Sequence, residues 1–341
     1  MTPGTDDRDP PLLNRLQRVV SMRALLFGLV GAAIAASPWV FAGLGAGHVP
    51  LLAGVVAWRS LLTAVLWVFS AILAAAAAFR SVRRAVIGVL IPAAILALVG
   101  TAMLLAPGMP AHRTARAGQQ FTVLSWNING SLVDAKTVER ETMAHRPDVL
   151  ALPAVDDEEF MQLARALASV GYAGVRADGS EAAIFSTSGY RAAPMSEYGP
   201  GAAREAVADG TSVQLPRLVA VHVSIPLLPR GNAAWNREVR WLGSLCHSRT
   251  PTVILGDFNS TTDNFAGTGL TACADAATAF GAQYRGTWPA QLTPALGSTL
   301  DHVLVAGRGV SVTSYSVLRD EDRSGSRHRP VLATVTIAQS P

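Results

Sequence analysis

Val253-Ile254-Leu255-Gly256-Asp257-Phe258-Asn259-Ser260 is the stretch whose reading decides the fold of this chain. Three apolar, β-favouring residues run into Gly256, and a carboxylate and a carboxamide follow two positions apart. The run predicts a buried strand that ends at a tight turn. Side chains alternate faces along extended backbone, so Asp257 and Asn259 share one side while Phe258 turns back to the core. An acid and an amide converging at a strand end can orient one water molecule or hold one hard cation. The plainer reading is a polar turn capping a helix that opens near Thr261, and so short a motif does not separate the two.

Working outward, composition excludes an ordinary soluble enzyme. Half of the 341 residues are hydrophobic and 15% are charged. Mean hydropathy is +0.31, and the apolar excess sits before residue 107. The net charge of +4 comes almost wholly from arginine, with Lys136 the only lysine. No dense basic run or aromatic-interleaved patch accompanies it, so there is no strong nucleic-acid signal.

Three apolar stretches, 24–44, 61–79 and 85–106, are each long enough to span a bilayer. Pro38 and Pro92 lie inside them, which a membrane tolerates better than water does. Arg15, Arg18 and Arg23 precede the first stretch, and Arg80, Arg83 and Arg84 fill the loop between the second and third. Both clusters belong in the cytoplasm, so the chain leaves the third span on the outside. A cleaved signal peptide is excluded by the length of the first stretch and by the two that follow. The expected organisation is a cytoplasmic N-terminus (1–23), a three-helix transmembrane anchor (24–106), a linker (107–120) and an extracytoplasmic domain (121–341) at the cell membrane.

Within that domain, strands are expected at 121–126, 149–152, 182–186, 218–223, 252–255, 299–305 and 331–337, with helices at 135–144, 158–170 and 233–246. Their mixture without strict alternation predicts a mixed sheet or two packed sheets with outer helices. Cys246 and Cys273 sit outside under this topology, where oxidation is open to them; two buried free thiols are the alternative, and the spacing matches no metal motif.

Other polar residues gather at strand ends. Ser125-Trp126-Asn127-Ile128-Asn129 closes the first strand, His222 closes another, Asp301-His302 lies in Ser-Thr-Leu-Asp-His-Val-Leu-Val at 298–305, and Ser326-Arg327-His328-Arg329-Pro330-Val331 leads into the last. With Arg-Pro-Asp-Val-Leu-Ala-Leu at 146–152 and Gly-Asp-Phe-Asn, these segments resemble the endonuclease/exonuclease/phosphatase family of metal-dependent phosphoesterases. The resemblance covers about 121–338. Gly286-Thr287-Trp288-Pro289 is similar to the bacterial members anchored by N-terminal spans, the VanJ-type group. The resemblance implies an α+β fold, the four-layer αββα sandwich called DNase I-like, here preceded by three transmembrane helices. It implies that Asn127 and Asp257 hold Mg²⁺ or Mn²⁺, and that Asp257 and Asn259 orient water and phosphate. Asp301 would hold His328, while His328 and His222 would donate to phosphoryl oxygens and manage a proton; Asn129 and Arg327 would contact phosphate.

Two positions depart from the family pattern. Leu152-Pro153-Ala154-Val155 stands where the family has Leu-Gln-Glu-Val, and Arg327 stands where it has an aspartate. Two lost carboxylates and one gained guanidinium shift the formal site charge by +3. Asp156 shares strand parity with Ala154 and would be a further ligand if the strand continues, with Asp157 next to it. Alternatively Arg327 binds phosphate bidentately without a cation. The expected activity is an outward-facing, membrane-anchored phosphoesterase on a phosphorylated lipid, an envelope precursor or a small phosphoester. A phosphate-binding module that has lost catalysis is the alternative, and a nuclease is the third reading.

Overall fold

The computed structural model describes residues 47–49, 52–105, 118–187, 189–200, 205–212, 215–226 and 229–338. The first expected span, 24–44, and most of the expected linker lie outside the described residues. The chain divides into two compact units, residues 1–39 with 61–105, and residues 40–60 with 106–341.

Among the described residues, three helices precede the first strand: α1 (Leu52–Ala57), α2 (Arg59–Ala76) and α3 (Arg83–Leu105). The last two coincide with the second and third expected spans and are long and apolar enough to cross a membrane. In the first unit they approach closely. A Cβ on Gly100 would lie 2.5 Å from the Thr63 hydroxyl, and Trp67 Nε1 donates to Thr101 Oγ1 at 2.9 Å. Small residues and interhelical hydrogen bonds are what tighten helix pairs in an apolar medium.

The second unit carries two six-stranded sheets. The first is ordered β11-β12-β1-β2-β4-β3, from strands Val310–Val317, Val331–Ala338, Gly118–Ser125, Val149–Pro153, Ala182–Ser186 and Ala173–Val175. The second is ordered β5-β6-β7-β8-β10-β9, from Tyr190–Ala192, Glu205–Gly210, Arg217–His222, Thr252–Asp257, Asp301–Ala306 and Ala274–Asp275. Period-two alternation sorts the side chains. Val123, Val149, Val253 and Leu255 enter a core shared by the facing sides of the sheets. Leu124, Leu150 and Leu152 face outward beneath α4 (Ala135–His145) and α5 (Asp157–Ala168). Ile254 and Leu304 face outward beneath α6 (Pro229–Cys246), against Trp235, Val239 and Leu242. The arrangement is the expected αββα sandwich.

Three details differ from expectation or complete it. The first strand begins at Gly118, inside the expected linker, because Gly118 to Ser125 pair along their whole length with β12. Cys246 and Cys273 are joined in a disulfide, which ties the end of α6 to the segment entering β9. Residues 47–49 and 52–60, expected as the loop between two spans, belong to the second unit.

Candidate active site

The chemistry converges where the two sheets present their strand ends together. β7 and β8 run parallel with His222 opposite Asp257, and β10 runs antiparallel with Asp301 also opposite Asp257. One register therefore sets three titratable side chains side by side. From the other sheet, β1 ends just before Asn127, β2 just before Ala154, and β12 starts just after His328. Gly256 is required for the approach: its φ is +141°, and a Cβ there would meet the Val221 carbonyl at 2.1 Å.

Asp257 is the centre. Its Oδ2 accepts from Asn127 Nδ2 and its Oδ1 from the Asn259 backbone N–H, both at 2.8 Å. Asn259 donates from its side chain to the Val223 carbonyl at 2.8 Å, which fixes the turn. Two histidines flank the same carboxylate, with His222 Nε2 3.9 Å and His328 Nε2 3.8 Å from Asp257 Oδ2. Each is aimed from behind by an acid. His328 Nδ1 donates to Asp301 Oδ2 and His222 Nδ1 to Glu181 Oε2, both at 2.9 Å. Burial alone would lower the His328 pKa, but the carboxylates of Asp301 and Asp257 outweigh it and push His328 up to about 9. Burial raises the Asp257 carboxyl, against the pull of His328 and with the push of Asp301.

Asp257, His222 and His328 line a cavity of about 400 Å³ together with Asn127, Asn129, Asn259, Ala154 and Arg327. Asp301 is fully buried behind His328. Glu181 was not singled out from the sequence, since it precedes its strand by one residue and has no motif around it. Arg329 was also missed. Its buried guanidinium holds Asp322 and the carbonyls of Gly286, Ala290 and Leu292, pinning the turn that carries Trp288 beside His328.

Asp156 requires a correction. β2 stops at Pro153, and Ala154 takes φ +59°, so strand parity no longer carries Asp156 to the cavity. Asp156 instead caps α5, accepting from the Glu159 N–H at 2.8 Å in a reciprocal capping box. Asp157 pairs with Arg176. Neither lines the cavity.

For a divalent ion, Asp257, Asp301 and His328 bring one ligand atom each within 4.8 Å of one another. Asp301 Oδ1 is buried and accepts no hydrogen bond among the described residues, so a carboxylate oxygen stands ready there. The two carboxylates fit a hard cation by donor type, while His328, held protonated by both acids, sits beside them as a donor and not as a ligand. The neighbouring corner does not fit a cation, because Ala154 offers a methyl group and Arg327 a positive charge.

The endonuclease/exonuclease/phosphatase family model matches residues 124–328, the span that holds Asn127, Glu181, His222, Asp257, Asn259, Asp301 and His328. The chain belongs to that family. Membership supports phosphoester hydrolysis in general, and the family's enzymes typically depend on a divalent metal. The fold is shared with the human Nocturnin catalytic domain, solved with bound sulfate, at TM-score 0.50 and 15% identity over 66% of this chain and 97% of that one. A 3'-5' exonuclease from Neisseria meningitidis matches at TM-score 0.49 and 18% identity, over 64% of this chain and 100% of that one. A family protein from Beutenbergia cavernae matches at TM-score 0.48 and 18% identity, over 65% and 73%. No curated protein matches the chain.

Proposed function

We propose that this chain is a phosphoesterase anchored in the cell membrane, with its second unit on the outer side and a phosphorylated lipid or envelope precursor as its substrate. The observation that carries the reading is the floor of the cavity, where two acid-oriented histidines flank one buried aspartate. Phosphoryl hydrolysis asks the protein for in-line positioning and for neutralised charge on the phosphoryl oxygens.

Asp257 and Asn259 orient a water molecule. As its oxygen bonds to phosphorus, its proton passes to Asp257, and the bond to the ester oxygen breaks. The leaving oxygen takes a proton from His328, which Asp301 holds in place. His222, held by Glu181, donates to a non-bridging oxygen, and Arg327 and Asn129 pair with the phosphate from the rim. Mg²⁺ or Mn²⁺ would add charge neutralisation when bound, with Asp257, Asn127 and Asp301 the residues that would hold it.

The membrane part of the proposal is supported by the two apolar helices and the arginine asymmetry, and the outward side also by the Cys246–Cys273 disulfide. The likeness to VanJ-type members belongs to this proposal. Ala154 and Arg327 favour a second reading, a phosphate-binding module without turnover. The full chain in detergent should release phosphate from a simple alkyl phosphate, and Asp257→Ala should abolish the release. Binding without release, in wild type with Mg²⁺ or Mn²⁺ present, would leave only the second reading.

A further inference from the structure

Residues 47–49 and 52–60 precede the family's matched span by more than sixty positions, yet the site is incomplete without them. They are clipped to the second unit by polar groups that are themselves buried. Asn264, fully buried, donates to the Gly47 carbonyl at 2.7 Å and to the Ala53 carbonyl at 3.4 Å. Asn232 donates to the His48 carbonyl, and Ser298 to the Ala57 carbonyl. Arg59 pairs with Asp263 at 2.7 Å and lies 4.5 Å over the Tyr284 ring. Gly47 sits so close that a Cβ would meet the Asp263 carbonyl at 2.3 Å.

What this clip delivers is one side of the active-site cavity. Ala53, Gly54, Ala57 and Trp58 line it together with the histidines and aspartate of the floor. Trp58 packs edge-on against Trp288 at 5.0 Å, and Trp288 lies 6.5 Å from the His328 ring. The cavity is therefore divided by chemistry. Its floor holds charges and donors, while this wall offers a hydrocarbon and aromatic surface. An apolar group pressed on the wall is removed from water. A polyol or sugar there would leave hydroxyl groups without partners.

We propose that residues 52–58 form the alcohol-side wall of the substrate site, and that Trp58 is a specificity-determining residue selecting phosphoesters whose alcohol is a hydrocarbon. This rests on the phosphoesterase reading and narrows its substrate class to esters of a hydrocarbon alcohol.

Hexyl phosphate, glycerol 1-phosphate and inorganic phosphate serve as soluble probes, with binding read by calorimetry on the full chain in detergent and turnover read in parallel. Wild type and Trp58→Phe should bind hexyl phosphate well above glycerol 1-phosphate, and Trp58→Gln should cut that preference about tenfold. Gly54→Asn, which places an amide on the same wall, should cut it too and stands in if Trp58→Gln fails to fold. A preference equal in wild type and both polar variants, or a wild type that favours glycerol 1-phosphate, overturns the wall. Preference in binding without turnover upholds the wall and sinks the phosphoesterase reading. Turnover of both esters in one unchanged ratio across all variants does the reverse. No binding of any probe overturns both.

Discussion

Asp301 and His302 are neighbours on β10, and each completes an aspartate–histidine pair, but on opposite faces of the sheet. Asp301 turns to the inner face, with Val303 and Val305, and aims His328 from behind. His302 turns to the outer core, where Nδ1 donates to Asp275 Oδ1 at 3.2 Å and Nε2 to the Ser260 carbonyl at 3.0 Å. It is wholly buried against Phe258 and Phe265. The two pairs use the same chemistry, and the second ring nitrogen separates them. In His328 that nitrogen faces Asp257 at the cavity floor, open to a substrate. In His302 it is consumed by a backbone carbonyl. One pair keeps a ring nitrogen at the cavity, as the proposed proton transfer requires, and the other is a rivet.

That contrast can be broken most sharply at the histidines themselves. His328→Gln should lower turnover of an alkyl phosphate by about 10²–10⁴-fold, the range of a removed general acid or base. The same change with little effect on turnover would remove the distinction. His302→Ala should instead destabilise the fold by about 3–5 kcal/mol in urea unfolding, because Asp275 is left buried without its partner. The turnover of the fraction that remains folded should change by no more than a few-fold.

The pH dependence sharpens the same comparison. Burial lowers the His302 pKa, but its hydrogen bond to Asp275 and that charge outweigh it, so its folded pKa lies above 6.5. Burial raises Asp275, but the same hydrogen bond wins, so its folded pKa lies below 3.8. The pair's contribution to stability should be full between pH 3.8 and 6.5, declining as pH rises through the His302 pKa and as it falls through that of Asp275. For His328, raised to about 9, the donating imidazolium persists until pH climbs through that value, so turnover should fall on the alkaline side near 9. Wild type and His302→Ala compared by unfolding at several pH values, and turnover of wild type followed up to pH 10, check the two halves separately.

The smallest effect is expected beside the open pair. Ala154 sits at φ +59°, in the left-handed region that favours glycine. Ala154→Gly should raise stability by up to about 1 kcal/mol, read as a shift in the urea midpoint. A loss would mean that the methyl group packs in a way the backbone strain does not outweigh.

Much of this was legible in the sequence, and the exceptions have physical causes. The strands that carry the site are apolar and end at distinctive polar residues, so β1, β2, β4, β7, β8, β10 and β12 could be read from local pattern. β11 could not, because a bulge between Val312 and Ser314 shifts its register and breaks the period-two alternation of Val310, Val312, Tyr315 and Val317. Asp257, Asn259, Asp301, His222 and His328, which the structure brings together, could be picked out because each sits in a recognisable segment. Glu181 escaped because its role comes from a partner 41 residues away, which no local spacing encodes. Asp156 misled because parity holds only while backbone stays extended, and Ala154 ends that. The wall at 52–58 was hidden for another reason. Its residues read as the edge of an apolar anchor, and only the buried carboxamide of Asn264 and the carboxylate of Asp263 reveal where they dock.

The central claim is that the cavity floor hydrolyses a phosphoester through Asp257 and His328. The most direct measurement is phosphate release from hexyl phosphate by the full chain in detergent, wild type beside Asp257→Ala and His328→Gln, with and without Mg²⁺ or Mn²⁺. Release by wild type that both variants lose, while both still unfold cooperatively, is the expected result. Release that survives in Asp257→Ala, or none from wild type under any of these conditions, would contradict it.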